Sequence, residues 1–317
     1  MLRAREPKLL TRERAERMLD AGSFEECAKL LTDCGYADMS AMSAGEIEAY
    51  LSSRRDAVFA ELEKLAPDRS VVDVFRMKYD YHNAKVLVKA EAVGQNGARL
   101  MSRSGRFSPE KLSALYTEEN LGQLPAVFAA AIADAKSVLA RTSNPQQADF
   151  ILDRAYFAEI RAAAQSAECP FLSGYAGILT DSTNLKSAVR TLRMGKDLEF
   201  MDSALIPGGS VSADRIVAAG DRESITALFA NTLLERAALI GAEAVDGGSM
   251  TAFELACDNA VTAYLRSARL VSFGPEALIA YLAAVEGEIT AVRMILTGRL
   301  AGINPDVIRE RLRDMYA

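Results

Sequence analysis

The chain has 317 residues, half of them hydrophobic, which is enough to bury a sizeable core in two or three domains or in an array of helical modules. Its net charge of −6 repels phosphate backbones and so excludes nucleic acid as an expected partner. The longest charge-free runs fall well short of the roughly 20 residues of a transmembrane helix, and the N-terminus lacks the apolar core of a signal peptide. We therefore expect a soluble intracellular protein with no membrane span of its own.

Helix-forming residues dominate the chain, and the alternating pattern of strands is scarce. Helix starts with a capping residue before proline occur at Ser108–Pro109, Asn144–Pro145 and Asn304–Pro305. Thr251 and Glu254 have the spacing of a capping box. Together the patterns predict an all-α protein with helices over residues 8–20, 24–34, 43–66, 70–93, 108–118, 122–141, 145–166, 171–194, 212–219, 222–241, 250–271, 275–297 and 305–316.

One helical segment recurs along the chain. At an offset of 101 residues, five positions repeat as Asp80/Asp181, Asn83/Asn184, Lys85/Lys186, Val88/Val189 and Gly94/Gly195. Residues 292–299 resemble a third copy at a further offset of 103, which keeps Arg293 and Gly298 but lacks the aspartate and asparagine. The repeat predicts three similar modules of about 100 residues, at residues 1–107, 108–208 and 209–317, with approximate three-fold symmetry and termini that can interleave.

The repeated residues suggest a structural role. Gly94, Gly195 and Gly298 are expected to end their helices in the left-handed conformation, beside basic residues that complement the helix dipole. Asp80 and Asn83 share a helix face, and we expect them to bond backbone groups at neighbouring helix ends. A metal site is less favoured, because one member of the pair is an uncharged amide.

Signals for chemistry are missing from the sequence. It contains no P-loop, no strand-embedded dinucleotide motif and no nucleophile elbow. The glycine-rich stretches at residues 208–210 and 247–249 are predicted loops, and His82 is predicted to be structural. The four cysteines, at 27, 34, 169 and 257, form no C-x-x-C pair and are expected to be reduced thiols. We therefore predict no catalytic residue, cofactor or metal.

Four arginines make the C-terminal end basic: Arg299, Arg309, Arg311 and Arg313. They fit either a solvated helix face or a docking surface for an acidic partner helix.

Several stretches carry a family resemblance. They are the D-x-x-N-x-K helix of residues 80–94, the F-G-P-E of residues 273–276, Tyr281–Leu282, the E-G-E-I of residues 286–289, the ending at residues 293–303 and the opening at residues 9–36. Together they resemble the C subunit of V-type and A-type ATPases, which is called the d subunit in eukaryotes.

The resemblance implies a funnel-shaped all-α protein of three similar modules. Such a protein is a non-catalytic central-stalk subunit at the cytoplasmic face of the membrane. It would couple central shaft subunits of the D and F type to the membrane rotor ring for proton or sodium transport, with the transported ion undetermined.

Two alternatives stay open from the sequence. A helical adaptor or scaffold would have shorter repeats of about 30–50 residues. A helical metal-dependent enzyme would need a second acid-bearing helix facing Asp80, which the sequence does not show.

Overall fold

The computed structural model describes residues 2–66, 68–271 and 274–317. Within these ranges 74% of the chain is helical and no strand occurs, which confirms the all-α prediction. No helix of the described residues is long and apolar enough to cross a membrane. Phe273, which belongs to the C-terminal family motif, lies outside the described residues. The chain divides into two compact units, and the division into three modules stays a prediction.

One unit comprises Pro67–Leu228 and contains eight of the described helices. They are α4 (Ser70–Ala92), α5 (Pro109–Thr117), α6 (Ala126–Thr142), α7 (Pro145–Ser166), α8 (Pro170–Arg193), α9 (Leu198–Ala204), α10 (Ala213–Ala219) and α11 (Arg222–Leu228). A short 3-10 turn, Ala98–Leu100, follows α4, and another, Leu121–Gln123, follows α5.

Helix α7 organises this unit by packing against α4, α6 and α8. It runs antiparallel to α4, because Lys85 bonds Asp153 while Lys89, one turn later on α4, bonds Asp149, one turn earlier on α7. The Tyr81 ring lies 4.7 Å from the Phe128 ring and closes the apolar core between α4 and α6.

The other unit comprises Met1–Ala66 and Phe229–Ala317. Its helices are α1 (Arg12–Asp20), α2 (Phe24–Lys29), α3 (Ala44–Leu65), α12 (Glu235–Val245), α13 (Met250–Arg266), α14 (Pro275–Leu300) and α15 (Pro305–Arg309). Helix α14 is apolar on most sides and is buried by contacts with α1, α2, α3, α13 and α15.

The predicted proline-containing helix starts are confirmed. Ser108, Asn144 and Asn304 each accept a backbone N–H of the first helical turn. The capping box predicted at Thr251 is wrong, since Ser249 caps α13 and Thr251 lies inside it. A complete capping box is found instead at Ser43 and Glu46.

Some predicted helix boundaries are also wrong. The helix predicted over residues 222–241 is interrupted between Leu228 and Glu235, and α15 ends at Arg309 instead of continuing to residue 316. The short helix α9 was not predicted. Its N-cap is Asp197, whose side chain accepts the N–H of Phe200.

Gly298 does not end its helix, contrary to the sequence prediction. It is buried inside α14, which continues to Leu300. A Cβ at position 298 would lie 2.7 Å from Cδ1 of Ile308 on α15, so any larger residue there would force the Ile308 side chain to shift. The left-handed residue after α14 is Gly302, with φ of 71°.

Candidate functional site

A buried carboxylate on α4 holds the segment that precedes α5. Oδ1 of Asp80 accepts the backbone N–H of Phe107 at 3.2 Å, and Oδ2 accepts Nε of Arg106 at 2.6 Å. Phe107 is the residue immediately before Ser108, the N-cap of α5. We call this arrangement, a buried acid that accepts the N–H of the residue before an N-cap, an acid clamp.

The amide of Asn83 completes the first clamp from the same face of α4. Its Nδ2 donates to the carbonyl oxygen of Ser102 at 2.8 Å, and its Oδ1 accepts the Ser102 N–H at 2.7 Å. The interpretation that this Asp–Asn pair bonds backbone groups near a helix end is therefore confirmed.

A second acid clamp repeats this geometry on α8. Oδ1 of Asp181 accepts the N–H of Val211 at 3.2 Å, and Val211 precedes Ser212, the N-cap of α10. Asn184 exchanges two hydrogen bonds of 2.8 Å with the backbone of Ile206. The hydroxyl of Ser210 donates to Oδ2 of Asp181 at 2.5 Å, where the first clamp uses Arg106.

Both clamps have a glycine packed directly against the acid. A Cβ on Gly105 would lie 2.3 Å from Oδ1 of Asp80, and a Cβ on Gly209 would lie 2.1 Å from Oδ1 of Asp181. Prediction from the sequence missed these partners, although a signal for them exists. Gly-Arg-Phe-Ser at residues 105–108 and Gly-Ser-Val-Ser at residues 209–212 share a G-x-apolar-Ser pattern.

A third acid clamp lies on α14, where Glu288 replaces the aspartate. Oε2 of Glu288 accepts the N–H of Leu10 at 2.5 Å, and Leu10 precedes Thr11, the N-cap of α1. Oε1 accepts the hydroxyl of Tyr36 at 2.5 Å. The segment that this clamp holds is thus N-terminal in the chain, whereas the first two clamps hold segments that follow their long helices.

The left-handed glycines correct the register of the third repeat. Gly94 and Gly195 both have φ of 63°, and each follows its acid by fourteen residues, as Gly302 follows Glu288. The third copy therefore lies at an offset of 107 from the second, and the predicted 103 is wrong. In this register Arg293 matches Lys85 and Lys186, and Gly298 has no counterpart among the helix-ending glycines.

The basic position of the repeat bonds to a neighbouring helix in at least two copies. Nζ of Lys85 lies 2.6 Å from Oδ1 of Asp153 on α7. Nε of Arg293 lies 2.5 Å from Oε2 of Glu48 on α3. Lys186 occupies the corresponding place on α8 and is half-buried.

The family model for the ATP synthase (C/AC39) subunit matches residues 1–311. The chain belongs to this family. It is 27% identical to the C subunit of the V-type sodium ATPase of Enterococcus hirae, over 100% of this chain and 97% of that protein. It is 25% identical to the C subunit of the A-type ATP synthase of Methanocaldococcus jannaschii, over 98% of this chain and 84% of that protein. It is 22% identical to the C subunit of the V-type ATP synthase of Thermus thermophilus, over 60% of each.

Burial governs the electrostatics of the three clamps in this member of the C/AC39 family. It raises the pKa of Asp80 to about 6, although the Arg106 guanidinium and the Phe107 N–H oppose the shift. Burial likewise raises the pKa of Asp181 and of Glu288, against their hydrogen-bond donors. In all three clamps burial therefore disfavours the charged form of the carboxyl group, and the hydrogen bonds from its partners only partly offset this cost.

The three clamp acids are buried side chains. The acids are enclosed by the donors that they bind, and no group of three His, Cys, Asp or Glu side chains among the described residues could hold a metal ion. His82 is exposed, and its Nε2 lies 2.9 Å from the carbonyl oxygen of Leu100. The four cysteines are buried free thiols.

Two of the C-terminal arginines form ion pairs within their own unit. Arg309 bonds Glu16 at 2.7 Å and Asp20 at 2.8 Å, and it also pairs with Asp306. Arg313 bonds Asp258 at 2.9 Å. A guanidinium of Arg299 donates to the carbonyl oxygen of Ala21. These contacts join the C-terminal segment to α1 and α13, a role that was not predicted because no local pattern indicates it.

Proposed function

We propose that the chain is a non-catalytic central-stalk subunit of a rotary V/A-type ATPase, which couples the central shaft to the membrane rotor ring during proton or sodium transport. The observation that carries the proposal is the family match over residues 1–311, together with a relative named as a subunit of a V-type sodium ATPase that aligns along nearly its whole length.

The acid clamps support a mechanical role. Each fixes a long helix to a capped shorter helix through hydrogen bonds to a buried carboxyl group, and leaving such a buried group without its partner costs about 1–3 kcal/mol. The clamp between Glu288 and Leu10 joins positions 278 residues apart, so it ties the last long helix to the first helix of the chain. Such contacts resist shear between helices, as transmission of torque requires.

The proposal also covers the module organisation of the subunit, its partners and its location at the membrane. Three similar modules, near residues 1–107, 108–208 and 209–317, would form the body, with the third completed by the N-terminal segment that Glu288 holds. The partners would be shaft subunits of the D and F type and the rotor ring. The subunit would sit as a peripheral component at the cytoplasmic face of the membrane.

Ion pumping by the reconstituted complex tests this proposal. Vesicles carrying the complex without this subunit should hydrolyse ATP in their catalytic head but move no ions, and adding the purified chain should restore ATP-driven ion uptake. Boiled chain is the control for unspecific protein effects. Ion uptake that proceeds equally well without the chain would disprove the coupling role.

A further inference from the structure

An open groove runs along the exposed face of α4, with a cavity volume of about 810 Å³. Its floor carries His82, Lys85, Lys89 and Val93, which follow one another on one face of the helix. One wall is the segment 95–100 after α4, and the other is the junction of α6 and α7 around Leu139. All of these residues belong to the unit Pro67–Leu228.

The apolar rim of the groove is unusually exposed. Val93 is 66% exposed and Leu100 is 70% exposed, and both line the groove. Large apolar side chains that line one concave surface are typical of sites that another molecule covers.

The charge of the groove is one-sided. Acidic residues outnumber basic ones in the chain, 43 to 37, yet none of the residues that line the groove is acidic. The ammonium groups of Lys85 and Lys89 each bond one carboxylate of α7, Asp153 and Asp149 respectively. Because an ammonium has three donors, each lysine can also bind an incoming carboxylate.

The dimensions of the groove suit a helix. From His82 to Val93 the floor spans three helical turns, or about 16 Å. A helix of that length and about 10 Å in diameter occupies roughly 1,300 Å³, and sinking half of it would fill roughly 600 Å³. The groove volume of about 810 Å³ is large enough for this. Lys85 and Lys89 stand one turn apart, so they match two carboxylates one turn apart on a helix lying alongside.

We infer that this groove binds a short acidic amphipathic helix of another subunit of the complex. Its apolar face contacts Val93, Leu100 and Leu139, and its carboxylates meet Lys85 and Lys89. The inference rests on the proposed function, because it takes the partner to be part of the same ATPase.

A pair of charge swaps tests the electrostatic half of this inference. Lys89→Asp with Asp149→Lys keeps the internal ion pair and the net charge but places the acid in the groove. The control is Glu91→Lys with Lys136→Glu, which reverses another ion pair of α4 whose members do not line the groove and also removes the acceptor of the Tyr116 hydroxyl, so it is the more disruptive swap of the two. Circular dichroism and thermal melting verify that both variants fold.

Binding is measured to the ATPase complex purified without this subunit. We expect the groove swap to raise the dissociation constant at least about tenfold, because the new aspartate faces the carboxylates of the acidic helix. The control swap should change the dissociation constant less than about twofold. Equal effects of the two swaps would overturn the inference.

Photocrosslinking identifies the occupant. A benzophenone amino acid at position 93 or 100 should crosslink, in the assembled complex, to an acidic helical segment of another subunit. Crosslinks only to lipid, to a second copy of this chain or to a segment that is not acidic and helical overturn the inference, as does the lack of any crosslink. A chain that never joins the complex overturns the proposed function and this inference with it, whereas a complex that pumps ions without a groove crosslink overturns this inference alone.

Discussion

The carboxylate of Glu288 accepts the backbone N–H of Leu10 at 2.5 Å, although the two residues are 278 positions apart in the chain. The same carboxylate accepts the hydroxyl of Tyr36, so one buried side chain on α14 fixes both the start of α1 and the segment after α2. Glu288 thereby fixes the N-terminal segment by a backbone hydrogen bond, as Asp80 and Asp181 fix the segments after α4 and α8.

Glu288→Ala should destabilise the unit that contains α14. The change leaves the buried N–H of Leu10 and the hydroxyl of Tyr36 without their acceptor, and each such loss costs about 1–3 kcal/mol. Urea unfolding should therefore show a loss of about 2–6 kcal/mol, and hydrogen exchange should show reduced protection at the start of α1. Glu48→Ala is the control, because its bond to Arg293 is partly exposed and should contribute less than about 1 kcal/mol. Equal losses in the two variants would contradict the buried clamp.

Much of the helical map could be predicted from the sequence because its signals are local. Ser108, Asn144 and Asn304 begin helices through contacts within one turn, and Gly94 and Gly195 end helices through their own backbone conformation. Two of the three acid positions, Asp80 and Asp181, were found because their spacing to these glycines is identical.

The third clamp could not be predicted in the same way, because distant contacts determine it. In the sequence Gly298 looks like the glycine that ends the repeated helix. In the structure it lies inside α14, where a Cβ would collide with the side chain of Ile308. Glu288 differs in residue type from the two aspartates, and its partner Leu10 lies near the other end of the chain. The candidate groove was missed for a related reason, since its walls come from α4, the segment 95–100 and the α6–α7 junction.

Gly105→Ala should disrupt the first clamp, and Gly209→Ala the second. The added methyl groups would lie 2.3 and 2.1 Å from the clamp carboxylates, so each acid must move away from the N–H that it binds. We expect each variant to lose about 1–3 kcal/mol of unfolding free energy, as is typical of overpacked sites. Gly122→Ala, in the same unit, has open space around its Cβ and should change stability much less. A Gly105→Ala protein as stable as Gly122→Ala would show that the clamp tolerates displacement.

The stability contribution of Asp80 should depend on pH. Burial raises its pKa from the ordinary 3.8 to about 6, so between these values the folded chain binds more protons than the unfolded chain. The contribution is therefore fully present below about pH 4 and falls as pH rises through about 6, by up to about 3 kcal/mol. Asp80→Asn cannot titrate, and the difference between the unfolding free energies of the two proteins should change across this window. A difference that is flat from pH 4 to pH 7 would contradict the raised pKa.

Gly298 and Gly302 should respond to alanine for different physical reasons. Gly302→Ala forces a side chain into the left-handed region, which costs about 1–2 kcal/mol whatever its neighbours are. Gly298→Ala instead places a methyl group 2.7 Å from Cδ1 of Ile308, and overpacking of this kind costs about 1–3 kcal/mol. Ile308→Val removes that Cδ1 atom and should recover about 1 kcal/mol of the Gly298→Ala loss, while it recovers none of the Gly302→Ala loss. Double-mutant cycles from urea unfolding measure both coupling energies. If Ile308→Val restored stability to Gly302→Ala, or restored none to Gly298→Ala, the assignment of Gly302 as the glycine that ends α14 would be contradicted.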